Sequence, residues 1–189
     1  MSPRQDYRPA RVRDSATIEV MAYDVLAPED GLGPNHAFLV ITDNASGKRW
    51  IVRGGPSRRD PAEFYEAVRA GDLNVVGEVE PIDKSIEPDM VKAKHKTVRR
   101  YFTTFLPDVS GQALAGRAAD IVRETNDLGR GYWPNQNSNS VAADVYQVLT
   151  GKRLEGGQLW GVRTRLRDDM NPLDWMRQRA VEISDNLRR

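Results

Sequence analysis

A turn signal in the first third of the chain limits the folds that are open to it. Residues 43–47 read D-N-A-S-G and separate a continuous apolar run at 36–42 from a second run at 48–53. Small polar turn residues between two such runs predict two antiparallel strands joined by a tight hairpin. Further strands are predicted where apolar, β-branched or aromatic residues recur at strand spacing, at 17–25, 74–80 and 97–105. We therefore predict an antiparallel sheet.

Helical patterns account for much of the remaining chain. Asp60 and Pro61 indicate the start of one helix and Gly71 its end, since an aspartate cap, an early proline and a terminal glycine are typical of helix boundaries. Apolar residues at three- and four-residue spacing predict further helices at 111–128, at 138–151 and at 171–189. Separate helices and an antiparallel sheet together give an α+β fold.

The length of 189 residues suits one ordinary domain with a sizeable core. We predict a single domain at 17–189, preceded by a flexible basic arm at 1–16. Lys and Arg number 28 against 27 Asp and Glu, so the net charge of +1 gives no reason to expect nucleic acid as a partner. The chain has no cysteine, which excludes disulfides, thiolate metal sites and thiol catalysis.

Metals, cofactors and membranes are not expected partners. The chain has only 2 histidines, so we expect no histidine-rich metal site and no cofactor. No run approaches the roughly 18 apolar residues of a membrane span, and the N-terminus lacks the apolar core of a signal peptide. We therefore expect a cytoplasmic protein, or one delivered without a conventional signal peptide.

A polar loop that leads into a helix is the strongest candidate site. Residues 132–140 read Y-W-P-N-Q-N-S-N-S and place Ser138 and Ser140 at the predicted helix start. Backbone N–H groups at such a start are unpaired and carry partial positive charge. They suit an anion, a capping hydroxyl or a charged reaction intermediate. Tyr132 and Trp133 precede the helix and either line a cleft or fill the core.

Two short motifs together resemble a known superfamily. His36 stands in N-H-A-F-L-V-I at the start of a predicted strand, and N-S-N-S-V opens a helix later in the chain. This order is similar to the circularly permuted branch of the papain-like, NlpC-type superfamily, which includes lecithin-retinol-acyltransferase-like proteins and PPPDE-like peptidases. The resemblance places the family's histidine at His36 and its nucleophile at Ser138, with Asn137 and Asn139 as flanking asparagines.

The resemblance implies a permuted papain-like fold and a hydrolase or acyl transferase that acts on amide or ester bonds. Its substrates would be peptide, peptidoglycan or acyl compounds. His36 would act as general base, Ser138 as nucleophile, and the helix start with Asn137, Asn139, Tyr132 and Trp133 would stabilise the oxyanion or line the site. The acceptor that would orient His36 is not identifiable; the strands that follow offer only Arg53, Asn74, Glu78 and Glu80.

Serine stands where that superfamily has cysteine, which leaves three interpretations of Ser138. Serine ionises far less easily than cysteine, so the chain is a serine variant, a binding module that has lost its chemistry, or an enzyme silenced by replacement of its nucleophile. The polar residues around Ser138 also suit a helix cap, with Ser140 as the capping residue, and His36 also suits a structural role.

Two further features leave alternatives open. Gly54 and Gly55 predict either a sharp turn after the second hairpin strand or a close approach of the backbone to a ligand. The apolar stripe of the predicted helix at 171–189 indicates docking on its own domain or contact with a protein partner. In the second case the chain would be an assembly protein.

Overall fold

The predicted hairpin lies at the centre of an antiparallel sheet. The computed structural model of the protein describes residues 14–24, 35–58, 60–82, 98–132 and 137–154. Within these residues the strands are β1 (Ser15–Asp24), β2 (Asn35–Asp43), β3 (Arg49–Pro56), β4 (Val75–Pro81) and β5 (Arg99–Pro107). They lie in the order β4-β3-β2-β1-β5, and every neighbouring pair is antiparallel.

Three helices are described beside this sheet: α1 (Pro61–Ala70), α2 (Gly111–Asp127) and α3 (Ser138–Thr150). Asp60 caps α1 by accepting the N–H groups of Ala62 and Glu63, and Gly71 ends it with a left-handed φ of 70°. The α+β class predicted from the sequence is therefore confirmed.

Most predicted element bounds agree with the structure to within two residues. The end of β3 is the exception, because the strand continues through Gly54 and Gly55 to Pro56 and pairs with β4 along that length. The predicted sharp turn at these glycines was wrong. The predicted helix at 171–189 and residues 1–13 of the predicted arm lie outside the described residues, whereas Ser15 and Ala16 belong to β1.

The two faces of the sheet carry separate apolar clusters. Side chains alternate between faces along a strand, so Ala37, Leu39 and Ile41 point towards α2 and α3 and join the main core. Phe38 and Val40 point to the opposite face, where they form a smaller buried cluster with Ile51 of β3. Residues along β2 therefore alternate between the main core under α2 and α3 and the smaller cluster on the opposite face.

Helix α2 packs on the main core through the stripe predicted from its sequence. The stripe is buried and consists of Leu114, Ala118, Ile121, Val122 and Thr125. The predicted stripe of α3 is buried at Val141 and Val145, but Val148 in its last turn is 36% exposed. The first two turns of α3 are enclosed on all sides, since residues 138–146 are all buried.

Asp43 joins the hairpin to the start of α2. Its carboxylate accepts the Ser46 hydroxyl at 2.7 Å and the Ser46 N–H at 2.8 Å on one oxygen, and the Gly111 N–H at 2.7 Å on the other. Gly111 has no room for a side chain, because an added Cβ would lie 2.4 Å from the Asp43 backbone nitrogen. The hydrogen bonds from Ser46, followed by those from Gly111 and Gln112, hold the pKa of Asp43 below its ordinary value of 3.8.

We expect Asp43→Asn to lower the free energy of unfolding at neutral pH. A lowered pKa in the folded state means that the ionised carboxylate stabilises the fold above pH 3.8, and that this contribution is lost as the pH falls through the folded-state pKa. Urea unfolding from pH 7 to pH 2 should show the wild type and variant converging at acid pH. Asp72→Asn, at an exposed carboxylate, is the control. A constant difference at every pH would contradict the role given to the charge.

Candidate functional site

The start of α3 is capped by its own loop residues. Asn137 is the N-cap, in extended conformation, and its side-chain oxygen accepts the Asn139 N–H at 2.9 Å. The Ser140 hydroxyl in turn accepts the Asn137 N–H at 3.3 Å, which completes a reciprocal capping box. The cap is therefore Asn137, and Ser140, the predicted capping residue, bonds back towards the loop instead.

Asn139 connects the two sequence motifs. Its buried side-chain oxygen accepts the N–H of Ala37 at 2.6 Å, next to His36 at the start of β2. The paired register between β2 and β3 runs from Leu39 opposite Val52 to Thr42 opposite Arg49. Ala37 lies outside that paired stretch, so β3 provides no acceptor for its N–H group. The side chain of Asn139 is the acceptor instead. The structure thus places the two motifs side by side, through Ala37 and Asn139.

Ser138 lies against the backbone of β3 on the face that carries α2 and α3. An added Cβ at Gly54 would lie 2.9 Å from the Ser138 Cα and 2.7 Å from Val141 Cγ2, so only glycine permits this approach. Close approach was one of the two predictions for these glycines, but the approaching group is a helix start of the same chain. The glycine is needed for packing of α3 on the sheet.

The Ser138 side chain is buried and hydrogen-bonds to the hydroxyl of Tyr132. Burial raises the pKa of Tyr132 above its ordinary value of 10.0, and the bond from Ser138 offsets this in part. The phenol is therefore protonated at neutral pH. A protonated phenol cannot accept the serine proton as a general base, so this contact positions the hydroxyl without activating it.

His36 belongs to the opposite face of the sheet. It is directly opposite Tyr23 in the β1–β2 register, and the centroids of the two rings are 5.0 Å apart. Tyr23 also lies 6.3 Å from the ring of Phe38, which is on the face away from α2 and α3. The alternation of side chains along β2 accordingly directs the His36 imidazole away from the face against which Ser138 packs.

The structure brings the backbones of the two motifs together through the hydrogen bond between Ala37 and Asn139. The ring of His36 lies against Tyr23 on the Phe38 face of the sheet, whereas Ser138 packs against Gly54 from the face that carries α3. A general base must come within hydrogen-bond reach of the proton that it accepts. Asn137 and Asn139 adjoin Ser138 as predicted, but their side chains serve the helix cap and β2. Trp133 lies outside the described residues.

A cavity of about 300 Å³ opens on the His36 side of the sheet. It is lined by Tyr23, His36, Phe38, Ile51, Arg53, Gly54, Gly55, Pro56, Arg58 and Phe64. We call it the His36 cleft. Gly54 forms part of its wall, and Ser138 packs against the other side of that same glycine. The cleft combines aromatic side chains with an imidazole and two guanidinium groups.

The two arginines of the His36 cleft differ in their surroundings. Arg53 is mostly buried and forms ion pairs with Glu78 and, at 3.9 Å, with Glu80, both on β4. Arg58 is exposed after the end of β3 and has no ion pair with a carboxylate in the described part of the chain. Of these two residues, Arg58 is therefore the cation available to an anionic ligand, while Arg53 is largely neutralised.

Sequence reasoning identified His36, listed Arg53 and named Gly54 and Gly55 as a possible approach to a ligand, but it missed the remaining lining residues. Phe38 could have been predicted from the sequence, because it is two residues from His36 on the same strand and such residues share a face. Tyr23, Arg58 and Phe64 could not have been predicted, since their proximity depends on strand register and on the placement of α1.

Neither a metal centre nor a membrane-spanning helix is found in the described part of the chain. Its residues contain no group of three or more side chains that could hold a metal ion, and none of its helices is long and apolar enough to cross a membrane. No protein-family model, no curated protein and no solved structure matches the chain. The function is therefore inferred from the geometry and chemistry of the cleft.

We expect Asn139→Ala to destabilise the protein by about 1–3 kcal/mol, because it leaves the buried Ala37 N–H without its acceptor. Hydrogen exchange of the Ala37 amide should accelerate more than that of Ile41, which is paired with Ile18 of β1 and Trp50 of β3. Gln112→Ala, at an exposed amide side chain on α2, is the matched control for unfolding. Unchanged protection of Ala37 would show that Asn139 does not hold the start of β2.

Proposed function

We propose that this chain is a non-catalytic binding module, and that the His36 cleft binds a small ligand with a carboxylate and a flat apolar group. The observation that carries the proposal is the placement of His36 in a cavity on the face away from Ser138. The volume of the His36 cleft, about 300 Å³, is at the lower end of the range for ligand sites. A peptide C-terminus that ends in an aromatic residue has this chemistry.

The lining residues support that ligand class. Tyr23 and Phe64 offer aromatic surface to a flat group, above the buried ring of Phe38, and stacking on such rings is favourable. Arg58 supplies a positive charge at the cleft, and a guanidinium can bind a carboxylate with two parallel hydrogen bonds. Gly55 leaves the backbone of β3 open to the ligand, because it shares a face with Ile51 and Arg53 and carries no side chain there.

The test compares N-acetyl-phenylalanine with N-acetyl-phenylalaninamide, which differ only in the charged group. We expect the acid to bind more tightly, with amide shifts in NMR spectra at Gly54 and Gly55. Arg58→Ala should weaken binding of the acid about tenfold and leave the amide unaffected, since a charge-assisted bond contributes roughly 1.5 kcal/mol. Arg69→Ala, at an exposed arginine on α1, is the control. Equal binding of acid and amide would refute the proposed ligand class.

A second candidate is a hydrolase or acyl transferase on a permuted papain-like scaffold, with Ser138 as nucleophile and His36 as base. The hydrogen bond between Ala37 and Asn139 favours it, because it makes the two motifs neighbours. In such a reaction the Ser138 oxygen would attack an amide or ester carbonyl while His36 accepted its proton. The C–N or C–O bond of the substrate would then break, and His36 would return the proton to the leaving amine or alcohol. This reaction requires a rearrangement around Gly54 that brings the imidazole to the hydroxyl.

Ser138→Cys distinguishes the two candidates, because the chain has no other cysteine and any thiol labelling reports this position alone. The binding proposal predicts slow labelling by iodoacetamide, since Ser138 is buried, and no effect of a second change, His36→Ala. The matched second change is His95→Ala, at the other histidine of the chain. Rapid labelling that is lost with His36→Ala alone would instead support the hydrolase or acyl transferase.

A further inference from the structure

The two outer edges of the sheet differ. At β4 the side-chain amide of Asn126 accepts the Gly77 N–H at 2.7 Å and donates to the Gly77 carbonyl at 3.0 Å. Main-chain bonds from Val75 to the Arg130 carbonyl and from Tyr132 to the Leu73 carbonyl continue the coverage. An exposed edge strand can pair with another strand through its unused N–H and C=O groups. At β4 these groups are already bonded to a side chain and to loop residues.

The other edge, at β5, has no comparable coverage among the described residues. β5 pairs with β1, and no strand in the described ranges pairs with its outer side. Phe102 and Phe105 are 39% and 61% exposed, and the strand is nine residues long and rich in threonine and aromatic residues. A long edge with exposed aromatic side chains is suited to pairing with a further strand.

A second cavity, of about 310 Å³, opens beside this edge. It is lined by Phe102, Thr103, Thr104, Tyr146, Lys152, Arg153 and Leu154. The hydroxyls of Thr104 and Tyr146 are 2.7 Å apart and tie β5 to α3. The cavity therefore lies between the sheet edge and the segment after α3, where side chains of an added strand would enter it.

Positive charge surrounds this edge. Lys152 and Arg153 are exposed and have no ion pair in the described ranges, and the same holds for Arg99 at the start of β5. Arg100 is 2.7 Å from Glu19 and is thereby paired. Lys152 and Arg153 line the cavity together with Phe102, whereas Phe105 belongs to the other face of the sheet. A strand that carries carboxylates and apolar side chains in alternation would present the carboxylates to the cations and the apolar side chains to Phe105.

We infer that the outer edge of β5 binds an extended acidic segment of a partner protein by strand addition, with its carboxylates on Lys152, Arg153 and Arg99. Backbone hydrogen bonds to β5 supply the alignment, and one side chain of the added strand enters the cavity beside Phe102. A second copy of this chain is a poorer occupant, because its β5 sequence, R-R-Y-F-T-T-F-L-P, contains two arginines and no acid.

The test uses a fluorescein-labelled nine-residue peptide of alternating glutamate and valine, measured by fluorescence anisotropy with the full chain. We expect saturable binding that weakens as salt is added, since exposed charges are screened. Two further peptides test strand addition. One is methylated on the backbone nitrogens of its odd-numbered residues, and the other on those of its even-numbered residues. At least one should bind about tenfold more weakly, because strand pairing uses alternate N–H groups.

The double variant Lys152→Glu with Arg153→Glu should reduce affinity for the unmodified peptide about tenfold. Arg69→Glu with Arg117→Glu changes the net charge equally at exposed helical positions and should have little effect. Circular dichroism of both variants reports folding, and a folded Lys152/Arg153 variant with full affinity would refute the proposed site. So would unchanged binding of both methylated peptides. A dimer in sedimentation that is broken by Phe105→Asp would overturn the acidic partner in favour of a second copy.

Discussion

The contact between the start of α3 and the backbone of β2 and β3 organises the rest of the structure. It depends on the absence of a side chain at Gly54 and on the hydrogen bond from the Ala37 N–H to Asn139. The same contact buries the first two turns of α3 on all sides and holds Ser138 beside Tyr132. Close packing of backbone on backbone leaves little freedom for Ser138 to reorient.

The contact between α3 and the sheet also determines which groups surround His36 and Ser138. A β-sheet separates whatever lies on its two faces, and β2 directs Ala37 towards α3 and His36 away from it. The imidazole therefore contributes to a cleft with aromatic walls, while the serine hydroxyl is bonded to a protonated phenol. The arrangement supports recognition of a ligand by the His36 cleft more directly than proton transfer between His36 and Ser138.

Much of the fold was accessible from local sequence. The hairpin turn, the Asp60 cap, the glycine end of α1 and the buried stripe of α2 were all predicted correctly, because each depends on residues within one or two turns of one another. The prediction failed at Gly54 and Gly55, which look like a strand ending but lie within β3. The neighbour of Gly54 is Ser138, more than eighty residues away in the chain, and no local pattern reports such a contact.

The candidate site shows the same division. The sequence by itself determined the α+β class, the charge balance, the absence of cysteine and the identity of two polar motifs, since composition and short-range periodicity carry that information. Only the tertiary structure decided that Asn137 caps α3, that Asn139 binds β2, and that the ring of His36 lies against Tyr23. The physical reason is strand register: a shift of one residue moves every side chain of a strand to the other face, and register is set by long-range pairing.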